Sequence, residues 1–208
     1  MKIANVYSHL NGLEFLQVHC PDLLDEIYAA IVNVDASKCI KESGDKTKKG
    51  KKVYDQKKMN QWFVEELKPN GWESVRTPYY VTGDLNLARS VVGIRDKEEQ
   101  RQLIEQNGLE AFSTYNQVDF VKNRVAIEVQ FGKYFSVAYD LHVKHTFFYL
   151  RNDIDVGIEI IPTKALERRM DTGVPWFENE VTNVIREGRS NPSVPIVMIG
   201  IEPEIFTI

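Results

Sequence analysis

Cysteine is scarce in this sequence, since Cys20 and Cys39 are the only two among 208 residues. Two cysteines form neither a disulfide framework nor a metal-binding cluster, which is typical of a protein in a reducing cytosol. No apolar run approaches the roughly 18–20 residues that a membrane-spanning helix needs. Residues 1–9 also lack the apolar core of a secretory signal. These absences predict a globular protein of the cytoplasm.

An excess of positive charge is missing as well. The net charge is −4 and the pI is about 5.7, which argues against a protein that binds nucleic acid through charge alone. One segment, residues 38–58, nevertheless holds nine lysines against three acidic residues, so it carries +6 and the remainder carries −10. This Lys-rich loop is either a solvated surface loop or an arm that meets DNA phosphates.

The pattern of apolar residues indicates one α/β domain over residues 1–208. Helical spacing of apolar side chains occurs in residues 23–34, 59–67 and 177–185, and Asp96 with Glu99 resembles a helix-capping box. Strand-like patterns occur in residues 125–131, 156–160 and 195–201. Residues 135–150 are ambiguous, but a helix there would complete a strand–helix–strand unit.

The segment that carries chemistry is residues 116–131. Successive side chains of a strand point to opposite faces, so Glu128 and Gln130 share one face while apolar neighbours pack the other. A two-residue turn at Asn123-Arg124 would bring Asp119 opposite Glu128, at a Cβ separation of about 4.5–5.5 Å. An odd-length turn would place Asp119 on the wrong face.

Two close carboxylates repel each other unless a cation or a proton lies between them. Asp119, Glu128 and the backbone carbonyl of Val129 are oxygen ligands of the kind that Mg²⁺ prefers. A bound metal would polarise a phosphoryl oxygen, and Gln130 would hold the attacking water. The alternative is an amphipathic hairpin whose polar face meets water, because such strands are common.

Longer blocks of the sequence resemble the BstYI/BglII group of type II restriction endonucleases, and its BstYI branch most. This group lies within the P-D…(D/E)-x-K nuclease superfamily. The matching blocks are Val6 to Glu14, Tyr79 to Thr82, Asp119 to Tyr134, Val137 to Leu141, Ile154 to Gly157, Asn183 to Arg186 and Ile199 to Ile201.

The resemblance implies a restriction-endonuclease-like fold, with a central mixed β-sheet flanked by helices. It also implies that Asp119 and Glu128 bind the metal, with Mg²⁺ as the cofactor. The sequence departs from the superfamily motif at Val118, which replaces the proline, and at Gln130, which replaces the lysine. The glutamine is itself a feature of the BstYI/BglII group. A neutral amide orients a water but cannot act as a general base.

The resemblance further implies a homodimer that cuts double-stranded DNA at a palindromic GATC-centred hexamer and leaves 5′ overhangs. A two-fold dimer suits a palindrome because each subunit reads one half-site. The expected site is of the purine-GATC-pyrimidine kind, or AGATCT if the outer base is read strictly. Gly132-Lys133 and Asp171-Thr172-Gly173 match the family's base-reading segments. A cognate DNA methyltransferase is expected as a partner in the host.

Two other functions compete with a site-specific endonuclease. One is a DNA-binding protein of the same fold that does not cut, and the other is a nuclease directed to damaged or unusual DNA structure. The intact set of Asp119, Glu128 and Gln130 favours an enzyme over a silent binder, because binding alone does not require that set.

Overall fold

The structure is a computed structural model that describes residues 1–208. The strands are β1 (Lys2–His9), β2 (Ile40–Glu42), β3 (Lys52–Tyr54), β4 (Glu73–Val81), β5 (Phe112–Lys122), β6 (Val125–Val129), β7 (Val156–Pro162) and β8 (Ile196–Glu202). The helices are α1 (Gly12–His19), α2 (Pro21–Asn33), α3 (Gln56–Leu67), α4 (Leu85–Val92), α5 (Lys97–Gln106), α6 (Ser136–Tyr139), α7 (Thr146–Leu150), α8 (Lys164–Glu167) and α9 (Phe177–Glu187). Short 3₁₀ turns cover Ala36–Lys38 and Lys68–Asn70, and a π-helical stretch covers Asp140–His145.

Six strands form one sheet in the order β1-β8-β7-β6-β5-β4. Strands β6, β7 and β8 are parallel to one another, whereas β1 runs antiparallel to β8 and β5 antiparallel to β6. The predicted mixed sheet in an α/β fold is therefore confirmed. A separate two-stranded ribbon pairs β2 with β3 inside the lysine-rich segment.

The chain divides into two compact units, one of residues 1–73 with 119–208 and one of residues 74–118. Every predicted site residue belongs to the first unit. In the second unit, Asp84 and Asp96 accept hydrogen bonds from the second and third backbone amides of α4 and α5, as N-caps do. The second of these is the cap predicted from Asp96 and Glu99. That residues 1–208 form a single folding domain stays a prediction.

Helices cover both faces of the sheet in the first unit. On one face, Ile127, Ile158 and Ile199 join the apolar sides of α2 and α3 in one buried cluster. On the other face, side chains of β7 and β8 pack against the α6 segment and α9 in a second cluster. Because side chains alternate along a strand, the polar positions of β6 must face this second layer of helices.

The strand–helix–strand unit predicted from residues 135–150 is present. The helical stretch runs from Ser136 to Leu150, with the π-helical turns of Asp140–His145 in its middle, and it connects parallel strands β6 and β7. The helices predicted in residues 23–34, 59–67 and 177–185 are also present. None of the helices is long and apolar enough to cross a membrane.

Candidate active site

The β5–β6 hairpin has the register that the sequence predicts. Lys122 pairs with Val125 and Phe120 with Ile127. Asn123 and Arg124 have φ angles of 45° and 66°, the left-handed conformations that a two-residue hairpin turn requires. The Arg124 guanidinium also holds Asp155 at 2.6 and 2.8 Å, which ties the turn to the start of β7.

Asp119 comes one residue before Phe120, which pairs with Ile127, and it lies beside β6. Its Oδ2 accepts a hydrogen bond of 3.4 Å from the backbone amide of Val129. The structure therefore brings Asp119 to the predicted partner strand, next to Glu128. The odd-length turn that would have separated them does not occur.

Glu128 is fully buried at the centre of the sheet. Its Oε1 accepts a hydrogen bond of 3.0 Å from Lys144 Nζ, whereas its Oε2 has no hydrogen-bond partner. Burial raises the pKa of Glu128 well above its usual value, and the nearby charges of Asp119 and Asp140 add to this effect. The site thus holds a carboxylate that a cation would stabilise.

Gln130 is also buried, so the polar side of this hairpin does not face water. Its amide nitrogen donates a hydrogen bond to Asp140 Oδ2. Its carbonyl oxygen lies on the side of Gly132, 3.7 Å from where a Cβ would stand on that glycine. Because the amide nitrogen is engaged with Asp140, the carbonyl oxygen is the part of the Gln130 amide that can contact a water, and it does so as an acceptor.

Asp140 and Lys144 complete the cluster from the helical stretch over the sheet. Their charged groups lie 2.7 Å apart. Burial raises the pKa of Asp140 to about 6, against the opposing effect of Lys144. Burial alone would lower the pKa of Lys144, but the charges of Glu128 and Asp140 outweigh it and raise that pKa.

Sequence reasoning missed both residues of this pair. An aspartate and a lysine four residues apart on a helix usually form an ordinary surface ion pair, so their spacing carries no signal of a site. What brings them inward is the π-helical stretch that contains both, and π turns occur frequently at functional sites.

A buried histidine–carboxyl pair lies next to this cluster. His145 Nε2 is 2.9 Å from Glu159 Oε1, and both side chains are fully enclosed. Glu159 stands beside Glu128 in the parallel pairing of β6 and β7. Burial lowers the pKa of His145 to about 3 and raises the pKa of Glu159 well above its usual value, so both groups favour their neutral forms.

Four of the five predicted DNA-binding residues line one groove of about 620 Å³, which begins directly after β6. Gly132 and Lys133 form one side, and Thr172 and Gly173 come from the loop between α8 and α9. Asp171 instead turns towards the lysine-rich segment. Lys41 and Lys57 of the lysine-rich segment also line the groove, together with Gln56 and Asn60. The sequence had not singled out the last two as candidate site residues.

The donor atoms at the end of β6 suit a hard divalent cation. The chain contains no group of three or more His, Cys, Asp or Glu side chains arranged to hold a metal ion. Mg²⁺ does not need such a group, because it is commonly bound by one or two carboxylates together with waters and a substrate phosphate. Asp119 and the unpartnered Oε2 of Glu128 therefore fit this ion.

Solved structures that share the fold include two of BglII. The chain matches "Crystal structure of restriction endonuclease BGLII complexed with DNA 16-mer" at 19% identity, with a TM-score of 0.69, over 100% of this chain and 81% of that one. It matches "Crystal structure of free BglII" at 18% identity, with a TM-score of 0.59, over 100% of this chain and 82% of that one. The fold is thus that of a restriction endonuclease.

The family model for restriction endonuclease BglII/BglIII matches residues 4–201. The chain belongs to this family of type II site-specific endonucleases. No curated protein matches the chain. The resemblance to the BstYI/BglII group is confirmed at the level of the family, and the nearer similarity to the BstYI branch stays a prediction.

Proposed function

We propose that this endonuclease hydrolyses DNA phosphodiester bonds at a palindromic GATC-centred hexamer, of the purine-GATC-pyrimidine kind, in a Mg²⁺-dependent reaction that leaves 5′ overhangs. The observation that carries the proposal is Glu128, a buried carboxylate beside Asp119 with one oxygen that lacks a partner. A buried charge in this state needs a cation or a proton. The adjoining groove supplies a surface on which DNA would dock.

Asp119, Glu128 and the backbone carbonyl of Val129 would hold the metal. When bound, the ion would polarise the scissile phosphate and lower the pKa of a water. The remaining work falls to side chains of the chain itself. Gln130 would orient the attacking water through its carbonyl oxygen, and Asp140 fixes the amide in that orientation. Gln130 takes no proton, because an amide is not a base at neutral pH.

Lys133 and Thr172 would contact base edges, because an ammonium donates to guanine O6 or N7 and a hydroxyl can donate or accept. Gly132 and Gly173 would let the backbone come close to the DNA, and Asp171 would hold its loop in place. The exposed lysines of residues 38–58 would meet phosphates, which position a duplex without reading its sequence.

The proposed enzyme acts as a homodimer. A palindrome presents the same half-site to each subunit, and two active sites would cut one strand each. A host that carries such an enzyme needs a DNA methyltransferase of matching specificity to protect its own sites.

The test is digestion of a plasmid of known sequence, with Mg²⁺ or with EDTA, followed by sequencing of the ends. Discrete Mg²⁺-dependent ends at GATC-centred hexamers are expected. Glu128→Ala should abolish cutting and keep specific binding, and Glu105→Ala at an exposed carboxylate should change neither. Binding to the hexamers by the wild type without cutting would instead favour a silent DNA-binding protein, and scattered ends would favour a nuclease without this specificity.

A further inference from the structure

The lysine-rich segment (residues 38–58) is fastened to the loop that carries the predicted base-reading residues. We name Asp171–Gly173 the recognition loop. Lys48 Nζ donates to the backbone carbonyl of Arg168, at 3.2 Å, and to that of Met170. The backbone amide of Tyr54 donates to the carbonyl of Arg169 at 2.8 Å. Residues 168–170, which lead into the recognition loop, are therefore held by Lys48 and by Tyr54 of the lysine-rich segment.

Asp171 is held directly by the same segment. Ser43 Oγ donates to its Oδ1 at 2.5 Å, and Lys41 Nζ lies 2.8 Å from its Oδ2. Partial burial would raise the pKa of Asp171, but the hydrogen bonds from Lys41 and Ser43 outweigh it and lower that pKa. These contacts keep Asp171 turned away from the groove.

Thr172 is held by Asp45. The backbone amide of Thr172 donates to Asp45 Oδ2 at 3.1 Å, and its hydroxyl donates to the same oxygen. Asp45 is itself fixed, because its Oδ1 accepts hydrogen bonds of 3.0 Å from both the amide and the hydroxyl of Thr47. The carboxylate therefore joins a turn of the lysine-rich segment to the recognition loop.

This bond determines what the Thr172 hydroxyl can offer to DNA. A hydroxyl has one proton, and here the proton is committed to Asp45. Only its lone pairs remain for a ligand in the groove. In the major groove they suit a donor, namely adenine N6 or cytosine N4, and do not suit guanine O6 or thymine O4.

We propose that Asp45 is a specificity-determining positioning residue, which fixes the recognition loop and makes Thr172 a hydrogen-bond acceptor towards the base pair that it reads. The proposal rests on the proposed function, because it assumes that Thr172 reads the outer base pair of the hexamer. Asp45 acts through Thr172 and needs no contact with DNA itself.

The test uses Asp45→Ala, Thr172→Val and the double variant, with Asp35→Ala as the matched control. Asp35 caps the amide and hydroxyl of Ser37 as Asp45 caps those of Thr47. Its contacts lie within its own turn. Each protein is assayed for kcat/KM on duplexes that share GATC and differ in the outer base pair.

The Asp45→Ala variant should lose about tenfold in its discrimination between outer base pairs, within the range that one misread base pair normally costs. The Asp35→Ala variant should keep the wild-type ratio. Adding Asp45→Ala to Thr172→Val should change the ratio no further, because the two residues act as one unit. Unchanged discrimination in Asp45→Ala, or full additivity in the double variant, would overturn the proposal.

A second readout needs no DNA. Hydrogen exchange of the Thr172 amide should be faster in Asp45→Ala than in the wild type or Asp35→Ala, because its acceptor is removed. Unchanged exchange would also overturn the proposal. If the wild type cuts and binds none of the duplexes while the exchange result holds, the proposed function has failed and the specificity role falls with it.

Discussion

The ammonium nitrogen of Lys144 lies 3.0 Å from Oε1 of Glu128, so a helix supplies the cation that faces the buried carboxylate of β6. The strand itself offers Gln130, at the position where most of the nuclease superfamily has a lysine. In this chain, the positive charge of the cluster therefore comes from an element that follows the strand.

Lys144→Met should destabilise the protein by about 3 kcal/mol, because it leaves two buried carboxyl groups without their cation. The matched control is Lys2→Met, which breaks an ion pair of 3.1 Å with Glu202 at a half-exposed lysine and should cost less than about 1 kcal/mol. Urea unfolding in EDTA measures both. Equal losses of unfolding free energy in the two variants would show that burial of the ion pairs of Lys144 does not add to the cost of removing them.

Asp140→Asn should slow cleavage more than it weakens DNA binding. The substitution removes the charge that holds the Gln130 amide, and loss of such an outer partner commonly lowers activity by about 10–100-fold. Asp153→Asn, which loosens a partly exposed pair with Arg151, should keep the wild-type rate. Single-turnover cleavage and DNA titration separate the two effects. A loss confined to binding would contradict the positioning role of Asp140.

Glu159→Gln should stabilise the protein increasingly as the pH rises from 5 to 8. The folded pKa of Glu159 lies above its unfolded value, so its favourable contribution is complete below about pH 4.5 and is lost at higher pH. The wild type therefore loses up to about 1.4 kcal/mol per pH unit from this group, whereas the glutamine variant does not.

The measurement for Glu159 is the difference in unfolding free energy between variant and wild type, in EDTA, at each pH. The depressed pKa of His145 destabilises the protein as the pH falls below about 6.5, and His145 contacts Glu159, so the change between pH 6.5 and 8 is the part that reports Glu159 alone. Glu105→Gln, at an exposed carboxylate, is the matched control. If the difference in unfolding free energy for Glu159→Gln did not change with pH, the conclusion that Glu159 and His145 are both neutral in the folded protein would be refuted.

Gly157→Ala should destabilise the protein by about 1–3 kcal/mol, the usual range for overpacking a core. A Cβ at this position would stand 2.5 Å from His145 Nδ1, and that ring is fully buried. Gly44→Ala is the matched control, since a Cβ there would meet nothing within 4 Å. Thermal unfolding of the two variants should differ accordingly, and equal melting temperatures would show that the ring adapts.

The sequence predicted those parts of the site that depend on local rules. Turn length and strand alternation determine which residues of a hairpin face each other. The sequence alone therefore predicted that Asp119, Glu128 and Gln130 lie close together. The burial of Glu128 and Gln130 could not be predicted in this way. Polar alternation looks the same whether a strand faces water or a second layer of helices.

Contacts between distant segments could not be predicted from the sequence for a related reason. Lys144 contacts Glu128 from a π-helical stretch that packs over the sheet, and Asp45 contacts Thr172 although more than a hundred residues of chain separate them. Neither pair leaves a periodic signal. For the lysine-rich segment, the sequence predicted a solvated loop or an arm that meets DNA phosphates, and its contacts with the recognition loop were not predicted.

The two-residue turn at Asn123 and Arg124 also limits where evolution can insert or delete residues in this chain. One codon gained or lost there would rotate Asp119 to the opposite side of its strand, away from Glu128. Residues 107–111 precede the same strand, and extra codons at that point would leave the pairing of Asp119 untouched. We therefore expect natural variants of this sequence to tolerate insertions and deletions before β5, and selection to remove those in the turn between β5 and β6.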